Sequence, residues 1–250
     1  MAAKVVQEFS GFSGSKIYLM NKHGNLFVRK QGDLARNINR NQQLEQAGFP
    51  VAKILGIYGN TVDVEYIHGL DIRSYLLSHG ADKLLEFLIN LIDKFSESGI
   101  DKDYSEVIQS FLDQISFTNL PFTRQELEQR LPSTTTYPQS QYHGDLTLEN
   151  IIYSESQGFV LIDAQSGIWD SYVFDVIKLR QDLECHWFMR YCPAILESKL
   201  SYLQSKLLKR YRLAQSKYIL IVMLLRVYRN AKPGTFEHNF LLREITRLWK

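Results

Sequence analysis

The sequence predicts an α+β chain in which a small antiparallel β part comes first and a larger, mainly helical part follows. Three observations predict it. Residues 5–9, 16–20 and 26–30 are short β-prone runs, separated by Gly11, Gly14 and the polar stretch 21–25, which is hairpin punctuation. From Asp71 onward the apolar spacing turns helical. It is clearest over residues 82–96, where Leu84, Leu85, Leu88, Leu91, Ile92 and Phe95 recur at three- and four-residue intervals and mark one buried face. Within the helical part, a strand–turn–strand run around Gly158 breaks the pattern and ends at Asp163.

Composition agrees with a folded, core-forming chain. With 250 residues, 45% of them hydrophobic and 22% charged, there is enough apolar surface for one bilobal unit or two small domains, which excludes disorder. The longest apolar stretch, residues 218–225, falls far short of the roughly 20 residues a bilayer span needs. Residues 1–14 lack the apolar segment of a secretory signal, so the expectation is a cytoplasmic protein with no membrane partner. Cys185 and Cys192 flank His186 without a zinc-ligand spacing and read as packed thiols.

The elements follow in order. The Gly11–Ser15 turn is either an ordinary hairpin or a loop whose backbone N–H groups, at Ser13 and Gly14, face an anion. In the third strand, residues 26–30, period-two alternation puts Arg29 and Lys30 on opposite faces, so only one of these cations can reach a site there. Residues 34–47 read as a helix stopped by Gly48 with Pro50 beyond. Residues 105–115 and 124–131 read as shorter helices, and 132–138 as a loop. Residues 159–162 form a buried strand that delivers Asp163. Two further helices are expected over residues 198–212 and 216–230.

The chemistry lies between His143 and Asp163. Asp145, then Asn150 five residues on, then Asp163 beyond the hairpin, are spaced as ATP-dependent phosphoryl transfer needs them. Such a reaction asks for positioning and charge neutralisation more than covalent work. Asp145 is the candidate catalytic residue that accepts a hydroxyl proton; Asn150 and Asp163 are hard oxygen donors for Mg²⁺. Leu146, Leu148, Ile151 and Ile152 are expected to pack beneath the loop. His143 reads as a structural donor.

This stretch resembles the aminoglycoside phosphotransferase and choline kinase group, in which His-Gly-Asp stands for the His-Arg-Asp of protein kinases. The likeness runs from about residue 11 to 182 and is strongest over 142–163. It implies a bilobal protein-kinase-like fold, with a nucleotide-binding lobe over residues 1–67 and a catalytic and acceptor-binding lobe over 68–250. It also implies a hinge at Glu65, Tyr66 and Ile67 whose backbone bonds adenine, and a helix around residues 174–179 whose buried Asp175 braces the catalytic loop. Arg29, directly after an apolar triplet, matches the group's phosphate-contacting cation, with Lys30 the alternative. These relatives place a Glu early in the next helix to pair with that cation. Here Asn37, Asn39 and Asn41 occupy the region and Glu45 comes late, so either Glu45 makes the pair or amides hold the cation.

Charge bears on the acceptor. Residues 200–250 hold eleven Lys or Arg against two acids, a net +9, while the remainder carries 18 basic against 25 acidic residues, a net −7. A polycation is repelled by such a segment, which points to a neutral or anionic sugar-type hydroxyl acceptor over an aminoglycoside or choline. The bland alternative is that these cations solvate the outer faces of two helices. The expected protein is thus a transferase, a small-molecule kinase using ATP and Mg²⁺. The other readings are a degenerate kinase-like nucleotide binder, or a basic nucleic-acid-associated protein using Tyr202, Tyr211, Tyr218 and Tyr228. A protein kinase is disfavoured, since there is no Ala-Pro-Glu element and Asp175 follows Asp163 by only twelve positions.

Overall fold

Strands β1 (Lys4–Phe9), β2 (Lys16–Lys22) and β3 (Asn25–Gln31) lead into helix α1 (Ala35–Gln46), followed by β4 (Ile54–Tyr58), β5 (Thr61–Glu65) and β6 (Leu70–Asp71). Helices α2 (Ile72–Ser78) and α3 (Asp82–Ser96) come next, then β7 (Ile100–Asp103), α4 (Ser105–Leu112), α5 (Arg124–Arg130) and β8 (Thr136–Gln139). The hairpin β9 (Ile151–Ser154) and β10 (Gly158–Leu161) precedes α6 (Tyr172–Leu183), α7 (Glu197–Arg210), α8 (Lys217–Tyr228) and α9 (Phe236–Trp249). The structure is a computed structural model that describes residues 3–9, 15–191 and 195–250. It divides into two compact units, residues 1–75 with 149–167, and residues 76–148 with 168–250.

The N-terminal unit is built on an antiparallel five-stranded sheet of order β1-β2-β3-β5-β4. A two-residue turn joins β2 to β3. His23 and Gly24 both have positive φ, 55° and 88°, the twist a tight hairpin needs. Helix α1 ends as its sequence requires. Gly48 takes φ 73°, its N–H donates to Glu45 O and the Phe49 N–H donates to Leu44 O, a paired closure that satisfies the last carbonyls. The chain beyond α1 then captures the distant hairpin. Leu161 N–H donates to Pro50 O at 2.7 Å and Ala52 N–H to Leu161 O at 2.9 Å, which is why residues 149–167 pack with the first unit.

The C-terminal unit is helical, centred on α6. Residues 173–183 of that helix are all buried, among α3, α7 and α8, with α9 on α8. Helix α3 buries Leu84, Leu85, Leu88, Leu91, Ile92 and Phe95, the face its periodicity predicts. Helix α8 is buried on every side from Ile219 to Leu225, so its interior is core and only its two ends reach solvent.

Two expectations are corrected. The expected loop over 132–138 instead feeds β8, which pairs with β7 in a two-stranded sheet. Pro138 is tolerated because such a ribbon has free edges where a missing N–H costs nothing. The helical pattern also continues past residue 230. Thr235 accepts from the His238 N–H and starts α9, which buries Phe240, Leu241, Ile245 and Leu248. No helix among the described residues is long and apolar enough to cross a membrane.

Candidate functional site

A cavity of about 610 Å³ opens in the N-terminal unit. Its apolar wall includes Ala52, Ile67, Val64, Ile152 and Ile162, which pack with Val160 in a small core cluster. Val28 and Ile17 from the sheet add to the lining. The volume and apolar character suit a flat heteroaromatic ring. Glu65, Tyr66 and Ile67 lie on the rim. The sheet register ends at Glu65, so the backbone groups of Tyr66 and Ile67 stand outside the ladder. The Glu65 carboxylate accepts from the Lys53 N–H at 3.2 Å and from Gln157 Nε2 at 2.9 Å, which holds this edge in place.

The polar lining of the cavity includes Lys30, Asn37, Asn41, Glu149, Asn150 and Asp163. Strand alternation decides between the two cations. Lys30 faces the cavity, whereas Arg29, which the resemblance favoured, makes a bidentate pair with Asp63, 2.7 Å at both contacts. Burial pushes the Lys30 ammonium down to about 8. Its counter-charge is Asp163, with which it forms an ion pair.

Neither expected helix partner holds Lys30. Glu45 is exposed, Asn37 donates to Ala164 O at 3.2 Å and Asn41 donates to Ala52 O at 2.8 Å. Helix α1 thus offers the cavity amides that brace its backbone.

Asn150 and Asp163 belong to the two ends of one hairpin. Leu161 pairs with Ile151 in register, and the Ile162 N–H donates to Asn150 O at 3.0 Å, which sets the two donors on the same cavity. Asp163 takes φ 59°, a left-handed conformation that Gly, Asn and Asp adopt more readily than other residues. Among the described residues no group of three or more His, Cys, Asp or Glu stands together. Mg²⁺ does not require one. It binds through one or two carboxylates, with phosphate oxygens and water completing the shell, and the Asn150 amide and Asp163 carboxylate on the lining of one cavity are donors of that kind. Ser13 and Gly14 lie outside the described residues.

The His143–Asp145 loop belongs to the C-terminal unit and is braced from α6. Asp175, 1% exposed, accepts from the His143 N–H and, at 2.9 Å, from the Gly144 N–H. Gly144 has φ 90°, which lets the loop turn there. Asp182 accepts from the Leu148 N–H at 2.6 Å. His143 is fully buried, and its Nδ1 accepts from the Asp145 N–H at 3.3 Å.

Asp175→Ala leaves two N–H groups of this loop without their acceptor, so a loss of about 3–5 kcal/mol is expected. Thermal and urea melts check it.

Asp145 keeps 31% of its side-chain surface open and pairs with Lys178 at 2.9 Å. Burial pulls its carboxyl upward. The charge and hydrogen bond of Lys178 outweigh that, with smaller help from His143 and Arg226, and hold it below the ordinary carboxylate range. A depressed carboxyl contributes stability above its unfolded value and loses it as pH falls through the folded one. Lys178→Met removes the largest opposing charge, so the acid limb of the pH–rate profile moves up by about one pH unit or more. An unmoved limb contradicts the positioning role of Lys178.

Lys178, Asp182 and Arg226 carry no sequence motif. The available signal was the spacing of Asp175, Lys178 and Asp182 at i, i+3 and i+7, three charged residues on one face of a buried helix. Cys185 is buried, and burial first, then Glu184, pushes its thiol up to about 12, an inert group; Cys192 lies outside the described residues. The tyrosines offered for nucleic acid are engaged within the unit. Tyr211 donates to Asp93 and Ile89 O, Tyr202 donates to Asp82, and Tyr228 packs on His238 at 4.6 Å.

A sheet-based N-terminal unit and a helical unit with a braced His-Gly-Asp loop make up a protein-kinase-like fold. Solved structures agree. An aminoglycoside phosphotransferase in ternary complex with ADP and hygromycin B is similar at TM-score 0.65 and 11% identity, over 99% of this chain and 95% of that one. Choline kinase from Streptococcus pneumoniae matches at 0.58 and 16%, over 99% and 92%. A putative fructosamine-3-kinase from Haemophilus somnus matches at 0.61 and 12%, over 98% and 91%. No protein-family model and no curated protein matches the sequence.

Proposed function

We propose that the protein is an ATP- and Mg²⁺-dependent phosphotransferase that moves the γ-phosphoryl group to a hydroxyl of a small, neutral or anionic, sugar-type metabolite. The observation that carries this reading is that Lys30, Asn150 and Asp163, from separate stretches of chain, line one largely apolar cavity, with Lys30 paired to Asp163. In this reading Val28, Ala52, Val64, Ile67 and Ile162 enclose adenine, and backbone groups from Glu65 to Ile67 bond its edge. Lys30 contacts the phosphates, and Asn150 and Asp163 hold the metal. Bound Mg²⁺ supplies charge neutralisation on the phosphate oxygens. Asp145, kept ionised by Lys178, accepts the proton as the acceptor oxygen bonds to the γ-phosphorus and the bond to ADP breaks.

Fold likeness to kinases of aminoglycosides, choline and fructosamine supports the reaction class and leaves the acceptor to this chain's own charges. ADP release with MgATP, against kanamycin, choline and a panel of neutral and phosphorylated sugars, is the test. Turnover with sugars that disappears in EDTA is expected. Robust aminoglycoside turnover overturns the acceptor assignment, and the lack of any thermal shift with MgATP overturns the nucleotide site.

One observation favours a second reading, nucleotide binding without turnover. Lys30 is paired with the metal-ligand candidate Asp163 rather than with a helix carboxylate. A thermal shift with MgATP and no ADP release from any acceptor selects it.

A further inference from the structure

Asparagine recurs at positions 37, 39 and 41 of helix α1. It is a poor helix former, so an amide inside a helix is informative when its side chain bonds outside the helix. Asn39 stays on its own helix: it is exposed and accepts from Gln43 Nε2 at 3.2 Å. Asn37 and Asn41, one turn apart on the face that lines the cavity, bond away from it. Asn37 Nδ2 donates to Ala164 O at 3.2 Å, and Asn41 Nδ2 to Ala52 O at 2.8 Å.

Both bonds lead to Asp163. Ala52 is attached to the hairpin through its own N–H, which donates to Leu161 O at 2.9 Å, just before Asp163, and Ala164 is the residue directly after it. The first turn of α1 adds a second tie on the far side. The Ser166 N–H donates to Arg36 O at 3.1 Å, and Ser166 Oγ donates to the same oxygen at 3.2 Å. One face of α1 thus holds the chain on either side of Asp163.

With φ 59°, Asp163 occupies a small allowed region of backbone space, so the direction of its carboxylate follows from where its two neighbours are held. Ala164 is 2% exposed, and its carbonyl, once the Asn37 amide is gone, regains a donor by moving the segment. The first turn of α1 has no acidic residue, so the helix acts on this part of the cavity through backbone carbonyls instead of through charge.

We propose that Asn37 is a positioning residue for Asp163: with Asn41 and Ala52 fixing the preceding strand, its bond to Ala164 O sets where the carboxylate stands relative to Asn150. Resting on the kinase reading, this gives helix α1 control over how tightly the cavity holds Mg²⁺ with its nucleotide.

The test titrates the full chain with a non-hydrolysable ATP analogue in magnesium and in EDTA. Its readout is the ratio of the two affinities, which a general loss of stability does not move. Asn37→Ala, at a half-buried position, is expected to lower that ratio about fivefold, while the affinity in EDTA stays within about twofold of wild type. Ser166→Ala, which keeps the backbone N–H, lowers it less. Asn39→Ala, on the exposed face of the same helix, leaves it unchanged. Adding Asn37→Ala to Asp163→Asn has no further effect, because a residue that acts through Asp163 is silent once that carboxylate is gone.

An unchanged ratio in Asn37→Ala overturns the proposal and leaves the metal reading standing. An equal fall of both affinities does the same, since Asn37 then contacts the nucleotide itself, and so does a further loss in the double variant or a matching loss in Asn39→Ala. A wild type that binds the analogue equally well in magnesium and in EDTA overturns the metal reading, and the proposal with it.

Discussion

Asp145→Asn lowers turnover by about 10²–10⁴-fold and leaves MgATP affinity within about threefold of wild type. The two effects separate because the groups are built into different units. All the residues lining the cavity fall within 1–75 and 149–167, whereas Asp145 belongs to the C-terminal unit with its partner Lys178. The amide keeps the shape of the carboxylate and loses its capacity to take a proton. It also leaves buried Lys178 without its counter-charge, so a modest fall in melting temperature accompanies the loss of rate. Isothermal titration with a non-hydrolysable ATP analogue and ADP release on the same preparation give both numbers. A parallel collapse of binding and rate would falsify the assignment of Asp145 to the acceptor hydroxyl.

The complementary expectation concerns Asp163. Asp163→Asn weakens MgATP binding at least tenfold, about 1.4 kcal/mol, and flattens its dependence on magnesium. Asparagine is the informative replacement because φ at this residue is 59°, a region where Asn is tolerated and Ala is strained. The change therefore removes one negative charge and one metal donor without reshaping the hairpin. It also strips Lys30 of its ion-pair partner, so that cation, already lowered to about 8 by burial, loses protonation further before nucleotide arrives. Titrations with ATP in magnesium and in EDTA, for both proteins, provide the comparison. An unchanged ratio of the two affinities in the variant contradicts a metal role for Asp163.

Much of the site was readable because it is local. Asp145, Asn150 and Asp163 lie within nineteen residues, and the hairpin between the last two is specified by its own apolar runs and by Gly158, whose φ is 75°. The core face of α3 and the stop of α1 at Gly48 were equally legible, since each depends on neighbours within a few turns. The choice between Arg29 and Lys30 was not. Strand alternation says that they point apart, but the side that carries the cavity is settled by Asp63 across the sheet and by α1 and the hairpin. The β7–β8 ribbon was also hidden, because its strands are separated by two helices and one of them contains a proline.

By itself, then, the sequence determined the β-first, helix-later layout, the spacing of Asp145, Asn150 and Asp163 and the excess of positive charge in the last fifty residues. Each of these is written in spacing or composition over short distances. Only the tertiary structure decided that residues 149–167 pack with the first seventy-five, that Lys30 and not Arg29 faces the cavity, and that Lys178 pairs with Asp145. Those outcomes depend on which buried charges find partners across long stretches of chain. The cost of leaving a charge unpaired in a low-dielectric interior is a property of the packed molecule, not of any one segment.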